Sequence, residues 1–168
     1  GFAATFGGHF ADASLLVHAS FAFVLGRPQQ DPLRSIAETI LECEQIVLSG
    51  PLPACVVRLG YLYGPDSGDL RAYRTAFRLG RPYWAGPRQA LQYHLHHFDA
   101  VRALLAAAKP RNAGRILYAT AGKPVSFMQF MDDFARRLGK RFPLHVPTVA
   151  KPVIKLLVRE EHMQQAAL

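Results

Sequence analysis

Two apolar runs that flank one amphipathic helix constrain the fold of this chain more than any other feature. Residues 15–19 form a short apolar run that ends at Ser20, and residues 54–59 form a second one. Between them, Asp31 is the predicted N-cap and Pro32 the first residue of a helix that continues to Leu48. Strand, helix and strand in succession are typical of a parallel α/β sheet.

The segment after the second run is predicted to be a loop. Residues 60–69 contain three glycines, a proline and two acids, and they follow a strand, which is where open α/β sheets bind ligands. Downstream we expect a helix from Asp69 to Gly80, an extended Tyr83-Trp84, a strand over 92–97, a helix capped by Asp99, a strand over 115–119, a helix capped by Ser126 with Gln129, a strand within 142–147 and a last helix from about residue 149.

Length and composition indicate one globular domain. The chain has 168 residues, of which 50% are apolar and 19% charged, and no apolar run is long enough for a membrane span. No signal peptide is recognisable, so we expect a cytoplasmic protein without a membrane partner. Because the chain starts with Gly1 and ends inside a helix-like pattern, we also expect it to be a piece of a longer protein.

The two cysteines carry no metal or disulfide pattern. Cys43 and Cys55 occur without any C-x-x-C motif, which excludes a disulfide scaffold and a thiolate zinc site. Both are predicted to be packing residues. The histidines at 94, 96 and 97 do not have zincin spacing and lack a second ligand group, so we favour hydrogen-bonded histidines and predict no metal. Ser20 is not in a G-x-S-x-G elbow, which disfavours a hydrolase.

A basic segment accounts for much of the net charge of +8. A solvated helix face is the favoured interpretation, and a phosphate-bearing small molecule is the alternative. Nucleic acid is disfavoured, because no known motif is present and aromatic residues are not interleaved with the basic ones. The basic residues are Arg71, Arg74, Arg78, Arg81 and Arg88, with no acid between Asp69 and Asp99.

Four segments together resemble the NAD-dependent epimerase/dehydratase family, the extended short-chain dehydrogenases/reductases. Residues 58–65, RLGYLYGP, resemble the family's R-x-G-x-x-Y-G-P motif. Residues 17–26 are similar to its v-S-S-a-a-v-Y-G strand and turn, residues 95–103 to its i-H-V-x-D-v-A-x-A segment, and residues 115–139 to its closing strand and helix. The resemblance covers about residues 14–147.

The resemblance implies an α/β fold with a mostly parallel, incomplete Rossmann-like sheet and a smaller C-terminal substrate-side lobe. About 1–65 would be the last part of the dinucleotide-binding unit, and about 66–168 the substrate-side lobe with the remaining sheet elements. The implied cofactor is NAD or NADP, although the Gly-rich phosphate turn of that family is absent from these residues. A homodimer through residues 31–48 is also implied.

The resemblance also implies the site residues. Cofactor contacts fall on Ser20, Gly60 and Tyr61, and the substrate cleft falls on Tyr63, Trp84, Tyr93 and His96.

The catalytic positions of the family are replaced in this chain. The second serine of the strand and turn motif aligns with Phe21, and the Tyr and Lys of the family's Tyr-x-x-x-Lys align with Ile36 and Ile40. None of these side chains can transfer a proton, so catalytic residues are unknown. The nearest substitute phenols are Tyr61, Tyr63 and Tyr93, for each of which a packed aromatic is the favoured interpretation.

The leading hypothesis is part of an NAD(P)-binding oxidoreductase that acts on a small hydroxyl or carbonyl substrate. Tyr61 and Gln92 stand where the sugar-nucleotide branch usually carries Asn and Arg, which disfavours a nucleotide-sugar substrate. The alternatives are a non-catalytic dinucleotide-binding or regulatory module, and a scaffold whose basic face binds an acidic partner.

Overall fold

The computed structural model describes residues 13–26, 28, 31–79, 83–84, 91–140 and 145–146, with side chains not described at 83–84 and 145–146. The chain forms two compact units. The first takes in the described residues up to Leu62 together with Tyr93–Gly122, and the second takes in those of Tyr63–Gln92 and Lys123–Leu168. The chain therefore passes from the first unit to the second, returns, and leaves again.

A parallel three-stranded sheet forms the centre of the first unit. The strands β1 (Leu16–Phe21), β2 (Ala54–Leu59) and β7 (Ile116–Ala119) lie in the order β1-β2-β7. Phe21 is aligned with Leu59, and Leu59 with Ala119, so all three strands end at one edge. All six residues of β2 are buried, as its continuous apolar sequence predicts. The mixed α/β fold with a parallel sheet is thereby confirmed.

Two helices cover opposite faces of this sheet. Helix α1 (Leu33–Leu48) places Glu44 against Arg58, whereas the thiol of Cys55 lies 3.7 Å from the carbonyl oxygen of Ala107 at the end of α3 (His97–Ala107). Because successive strand residues point to opposite faces, Cys55 and Arg58 identify two different faces of β2. The core on the α3 side consists of Cys55, Val57, Leu59, Leu95, Ala100 and Ala107.

The second unit is built around two helices joined by aromatic contacts. Helix α2 (Gly68–Arg78) and helix α4 (Phe127–Arg137) pack Tyr73 against Phe127 and Phe77 against Phe134, with ring centroids 6.0 and 5.9 Å apart. The earlier aromatic residue of α2 contacts the earlier one of α4, and the later contacts the later, so the two helices run in the same direction. Two short sheets complete the unit: β4 (Tyr83–Trp84) pairs in parallel with β9 (His145–Val146), and β5 (Leu91–Gln92) pairs antiparallel with β8 (Val125–Ser126).

Three helix caps differ from those predicted. Pro32 is the N-cap of α1, and Asp31, one residue earlier, instead accepts hydrogen bonds from the amide and the hydroxyl of Ser35. Ser67, not Asp69, caps α2, and His96, not Asp99, caps α3. In the last two cases an acceptor placed just before the first turn bonds an amide of that turn, which leaves each Asp inside its helix near the positive end of the dipole.

Two predicted segments have a different structure. The expected loop 60–69 contains the strand β3 (Tyr61–Tyr63), which pairs with β6 (His94–His96), because its aromatic residues favour a strand despite the flanking glycines. The expected strand over 92–97 is divided between β5 and β6 at Tyr93. The cap at Ser126 is confirmed, since its hydroxyl accepts a hydrogen bond from the amide of Gln129. The predicted helix from about residue 149 lies outside the described residues.

The exposed positions include one of the two cysteines. Cys55 is buried as predicted, but Cys43 is exposed, because it lies off the face of α1 that carries the buried Ala37 and Glu44.

The arginines 71, 74 and 78 are exposed along α2, while 81 and 88 lie outside the described residues. Among the helices that the structure describes, none combines the length and hydropathy that crossing a membrane requires.

Candidate functional site

A buried ionic cluster lies beneath the carboxyl end of the three-stranded sheet. The hydroxyl of Ser20 on β1 donates a hydrogen bond of 2.5 Å to Glu44 Oε1 on α1. Arg58 on β2 donates to the same carboxylate from two nitrogens, with Nη2 2.6 Å from Oε2 and Nε 3.0 Å from Oε1. A second amino group of Arg58 donates to the Tyr118 hydroxyl at 3.2 Å. The cluster thus joins β1, α1, β2 and β7.

The charges within this cluster stabilise each other. Burial raises the pKa of Glu44, but the hydrogen bonds from Arg58 and Ser20 together outweigh this effect and hold that pKa below its ordinary value. Hydrogen bonding to Glu44 in turn raises the pKa of Arg58. The pair is therefore ionised, and it presents no net charge to the edge above it.

Phe21, Ile36 and Ile40, the positions at which the resemblance implies catalytic residues, lie toward the same end of the sheet as this cluster. Together with Phe23 they form what we call the apolar edge. Phe21 ends β1 and is 54% exposed, and its ring centroid lies 6.4 Å from that of Phe23. Glu44 is fixed at Ser20, and α1 runs antiparallel to β1. Ile40 and Ile36, four and eight residues before Glu44, therefore lie about 6 and 12 Å farther toward the carboxyl end of β1. Ile36 is 40% exposed, and Ile40 is half-buried.

Gly60 and Tyr61 follow β2 directly and approach Tyr93. The amide of Tyr61 donates a hydrogen bond of 2.6 Å to the carbonyl oxygen of Tyr93, and the amide of Gly60 donates to that of Ala119 at 3.0 Å. A Cβ atom on Gly60 would lie 2.4 Å from the Tyr93 oxygen, which no side chain can occupy without moving the backbone. Glycine at position 60 is therefore required by packing within the first unit.

His94 is a buried neighbour of Tyr61. Its ring packs edge-on against the Tyr61 ring at 5.6 Å, and burial lowers its pKa below the ordinary value. His96 has a local structural role, since its Nδ1 accepts a hydrogen bond of 3.3 Å from the amide of Phe98. Among the described residues, no group of three or more His, Cys, Asp or Glu side chains is placed to hold a metal ion.

The structure brings some of the predicted site residues together. Gly60, Tyr61 and Tyr93 are adjacent in the first unit, and Tyr93 is exposed. Ser20 is 2% exposed and engaged with Glu44, so its predicted cofactor contact stays a prediction.

The remaining predicted cleft residues belong to the second unit. Tyr63 packs edge-on against Phe130 with ring centroids 6.1 Å apart. The backbone of Trp84 lies in β4, and its side chain is outside what the structure describes. The substrate roles of both residues stay predictions.

The ionic cluster was not predicted from the sequence. Glu44 and Arg58 are not among the predicted site residues, although Arg58 is a charged residue inside an apolar strand. A serine, a glutamate and an arginine at the inward positions of three successive elements were the available signal, because buried charges require partners.

No family model matches the chain. A curated relative, a 3-diazoavenalumate denitrifying reductase from Streptomyces sp, is 33% identical over 115 residues, which cover 67% of this chain and 38% of that protein.

Solved structures match the fold more broadly. MoeE5 in complex with UDP-glucose and NAD is 26% identical with a TM-score of 0.64, and the match covers 79% of this chain and 50% of that one. The dTDP-glucose 4,6-dehydratase from Bacillus anthracis in complex with NAD is 17% identical with a TM-score of 0.69, covering 86% of this chain and 53% of that one.

The parallel sheet with helices on both faces is a Rossmann-like α/β fold. Together with the structural matches, it confirms the resemblance, and the chain has the fold of the NAD-dependent epimerases and dehydratases. The chain spans about half the length of these structures and 38% of the curated relative.

Proposed function

We propose that this chain is part of an NAD(P)-dependent oxidoreductase of the epimerase/dehydratase type that reduces a small molecule. Two similarities support the proposal. The structural matches are complexes with NAD, and the curated relative is a reductase. The observation that carries it is the position of the apolar edge and Tyr61 at the carboxyl ends of parallel strands, where sheets of this kind bind ligands.

The residues at this edge fit the nicotinamide end of the cofactor. Phe21 offers an exposed aromatic ring, Tyr61 a partly exposed one, and Ile36 an apolar surface. The nicotinamide ring is flat and, in its reduced form, uncharged, so it can pack against such a surface. The phosphate-binding turn is not among these 168 residues. When bound, NAD(P)H would supply a hydride.

The chain's own residues position this edge. The Ser20, Glu44 and Arg58 cluster fixes β1, α1 and β2 relative to one another, which holds Phe21 and Ile36 in place. The close approach at Gly60 holds the Tyr61 backbone against Tyr93. These contacts make the edge rigid before a ligand binds, and a preformed site loses less free energy on binding.

The substrate is proposed to be a small hydroxyl, carbonyl or diazo compound. The curated relative is a 3-diazoavenalumate denitrifying reductase, and we extend the diazo substrate class to this chain. Some of these substrates need a proton when they are reduced. We propose Tyr61 as the donor, because its phenol follows the carboxyl end of β2 by two residues.

The test is a fluorescence titration of the protein, as it occurs in its source, with NADH and NADPH, followed by oxidation assays with carbonyl and diazo compounds. Saturable binding that Phe21→Asp weakens at least about tenfold is expected, because a carboxylate would face the bound ring. The matched control is Leu105→Asp, at a residue 70% exposed on α3. Absence of binding to either nucleotide contradicts the proposal.

A second candidate is a non-catalytic dinucleotide-binding module. The apolar residues at positions 21, 36 and 40 favour it, because they remove the family's proton-transfer groups. Such a module would bind NAD(P)H without oxidising it in the presence of any acceptor. The oxidation assay therefore separates the two candidates.

We further propose that the protein is cytoplasmic and that it forms a homodimer through α1. Leu41 and Ile46 are exposed apolar side chains on this helix, and burying either of them would favour association. Sedimentation equilibrium of the wild type and of Ile46→Glu measures this directly, with a shift toward monomer expected for the variant.

A further inference from the structure

Most of the positive charge of the chain belongs to two of its segments. Residues 63–92 and 123–168, whose described parts form the second unit, contain 13 Lys and Arg against six Asp and Glu. The rest of the chain contains seven Lys and Arg against six Asp and Glu. A net charge of +7 therefore falls on these two segments and +1 on the rest. A charge excess confined to one part of a protein attracts anionic partners to that part.

Three arginines of α2 form what we call the basic face. Arg71, Arg74 and Arg78 are spaced by three and four residues, so they share one side of the helix, and all three are exposed. The buried Leu70 and Phe77 lie on the adjacent side. Among the described residues, none of the three arginines forms an ion pair with a carboxylate. Like charges at these spacings repel one another, so an anion bound on the face would stabilise the helix.

Helix dipoles account for only part of this charge. The later of the two aromatic contacts between α2 and α4 joins the helices near their C-terminal ends, with ring centroids 5.9 Å apart. Arg78 and the exposed Arg137 belong to these ends, where a positive charge stabilises the negative end of a helix dipole. Arg71 and Arg74 lie before the last turn of α2 and gain nothing from the dipole. Their exposure without a counter-charge therefore requires another explanation.

We propose that the basic face binds an acidic segment of a partner protein. Carboxylates one helical turn apart, about 5.4 Å, would each meet one arginine, whose guanidinium group binds a carboxylate through two hydrogen bonds. Every basic residue of the face is an arginine, and arginine is enriched in protein interfaces whereas lysine is depleted. Leu79, directly after Arg78, is 59% exposed and offers an apolar contact beside the charges. This partner is additional to the cofactor and substrate of the proposed function.

The basic face fits a protein segment better than a nucleic acid or a small phosphate. The five aromatic residues of α2 and α4 are all buried or half-buried, so neither helix has an exposed ring on which a base can stack. Arg71 and Arg78 are about 10 Å apart along the helix, which is farther than one phosphate group reaches. An acidic segment can contact all three arginines at once.

Fluorescence anisotropy with labelled peptides tests the proposal. The protein, as it occurs in its source, is titrated with four repeats of Glu-Glu-Leu-Ala and with the same peptide carrying Gln in place of Glu. We expect the acidic peptide to bind at least about tenfold more tightly, and its affinity to fall at least about tenfold between about 50 and 300 mM salt. Absence of binding, or equal affinities for the two peptides, overturns the proposal.

Two charge-reversal variants separate the basic face from the overall charge of the protein. Arg74→Glu changes the middle residue of the face, and the matched control Arg111→Glu changes an exposed arginine of the first unit by the same charge. Arg74→Glu is expected to weaken binding of the acidic peptide at least about fivefold, whereas Arg111→Glu is expected to change it less than about twofold. Both positions are on the surface, so both variants are expected to fold. Equal losses in the two variants overturn the proposal.

An oligodeoxythymidylate with as many phosphates as the peptide has carboxylates distinguishes a protein partner from a nucleic acid. We expect it to bind more weakly than the acidic peptide. Leu79→Ser is expected to weaken binding of the peptide at least about threefold and to leave binding of the oligonucleotide unchanged, because only the peptide carries an apolar side chain for this contact. Tighter binding of the oligonucleotide, or an affinity for the peptide that Leu79→Ser does not change, overturns the proposal.

Discussion

The hydroxyl of Ser20 donates a hydrogen bond to the carboxylate of Glu44, which joins the carboxyl end of β1 to the C-terminal half of α1. Ser20 precedes Phe21, and Glu44 lies one turn after Ile40, so this bond sets the position of three residues of the apolar edge. Arg58 completes the cluster from β2. A buried polar network of this kind is costly to break because each remaining member loses its partner.

Replacing Glu44 with glutamine is expected to destabilise the protein strongly. The substitution keeps the shape of the side chain but leaves the buried guanidinium of Arg58 without a counter-charge, which costs about 3 kcal/mol or more. Urea denaturation measures the free energy of unfolding. The control Glu42→Gln changes an exposed residue of the same helix and is expected to stay within about 0.5 kcal/mol of the wild type. Equal losses in both variants contradict the role of the cluster.

The stability of the protein is expected to fall in two steps as the pH is lowered. Burial lowers the pKa of His94, so the unfolded chain takes up a proton below its ordinary value of 6.5 while the folded chain does not. The pKa of Glu44 is also lowered, so its contribution is lost below the ordinary value of 4.5. Melting temperatures measured against pH test this. His94→Phe is expected to remove the upper step only, and an unchanged profile contradicts it.

Replacing Gly60 with alanine is expected to disturb the site and the fold together. The new Cβ would lie 2.4 Å from the Tyr93 carbonyl oxygen, so β3 must move away from Tyr93 and the Tyr61 amide loses its hydrogen bond. We expect a loss of about 2 kcal/mol or more, as for other backbone clashes and overpacked positions.

Gly68 provides the matched control for this prediction. It begins α2, and nothing lies within 4 Å of a Cβ added there. Gly68→Ala is expected to leave stability unchanged or to raise it by up to about 1 kcal/mol, because alanine favours helices. Equal destabilisation of the two variants in thermal denaturation would contradict the close approach at Gly60.

Several elements of both units could be predicted from sequence because their signals are local. The apolar run 54–59 gave β2 with its observed bounds, and Ser126 with Gln129 gave the cap of α4. The sequence does not distinguish Ser67 and His96 from Asp69 and Asp99 as helix caps. Several residues near the start of a helix can accept a hydrogen bond from an amide of its first turn.

The candidate site was harder to predict than the elements that carry it. Phe21, Ile36 and Ile40 were identified only because the family resemblance marks their positions, as apolar residues give no chemical signal of their own. The bond between Glu44 and Arg58 joins residues 14 positions apart, and it depends on how α1 packs over β2. Packing of this kind is set by the whole sheet, so local sequence patterns do not reveal it.

We propose that this chain belongs to an enzyme that uses NAD(P)H. A fluorescence titration of the protein, as it occurs in its source, with NADPH and NADH tests this proposal, and its repetition with carbonyl and diazo compounds follows oxidation of the bound nucleotide. We predict saturable binding of at least one nucleotide and its oxidation by at least one of these compounds. A titration that shows no saturation with either nucleotide would contradict it.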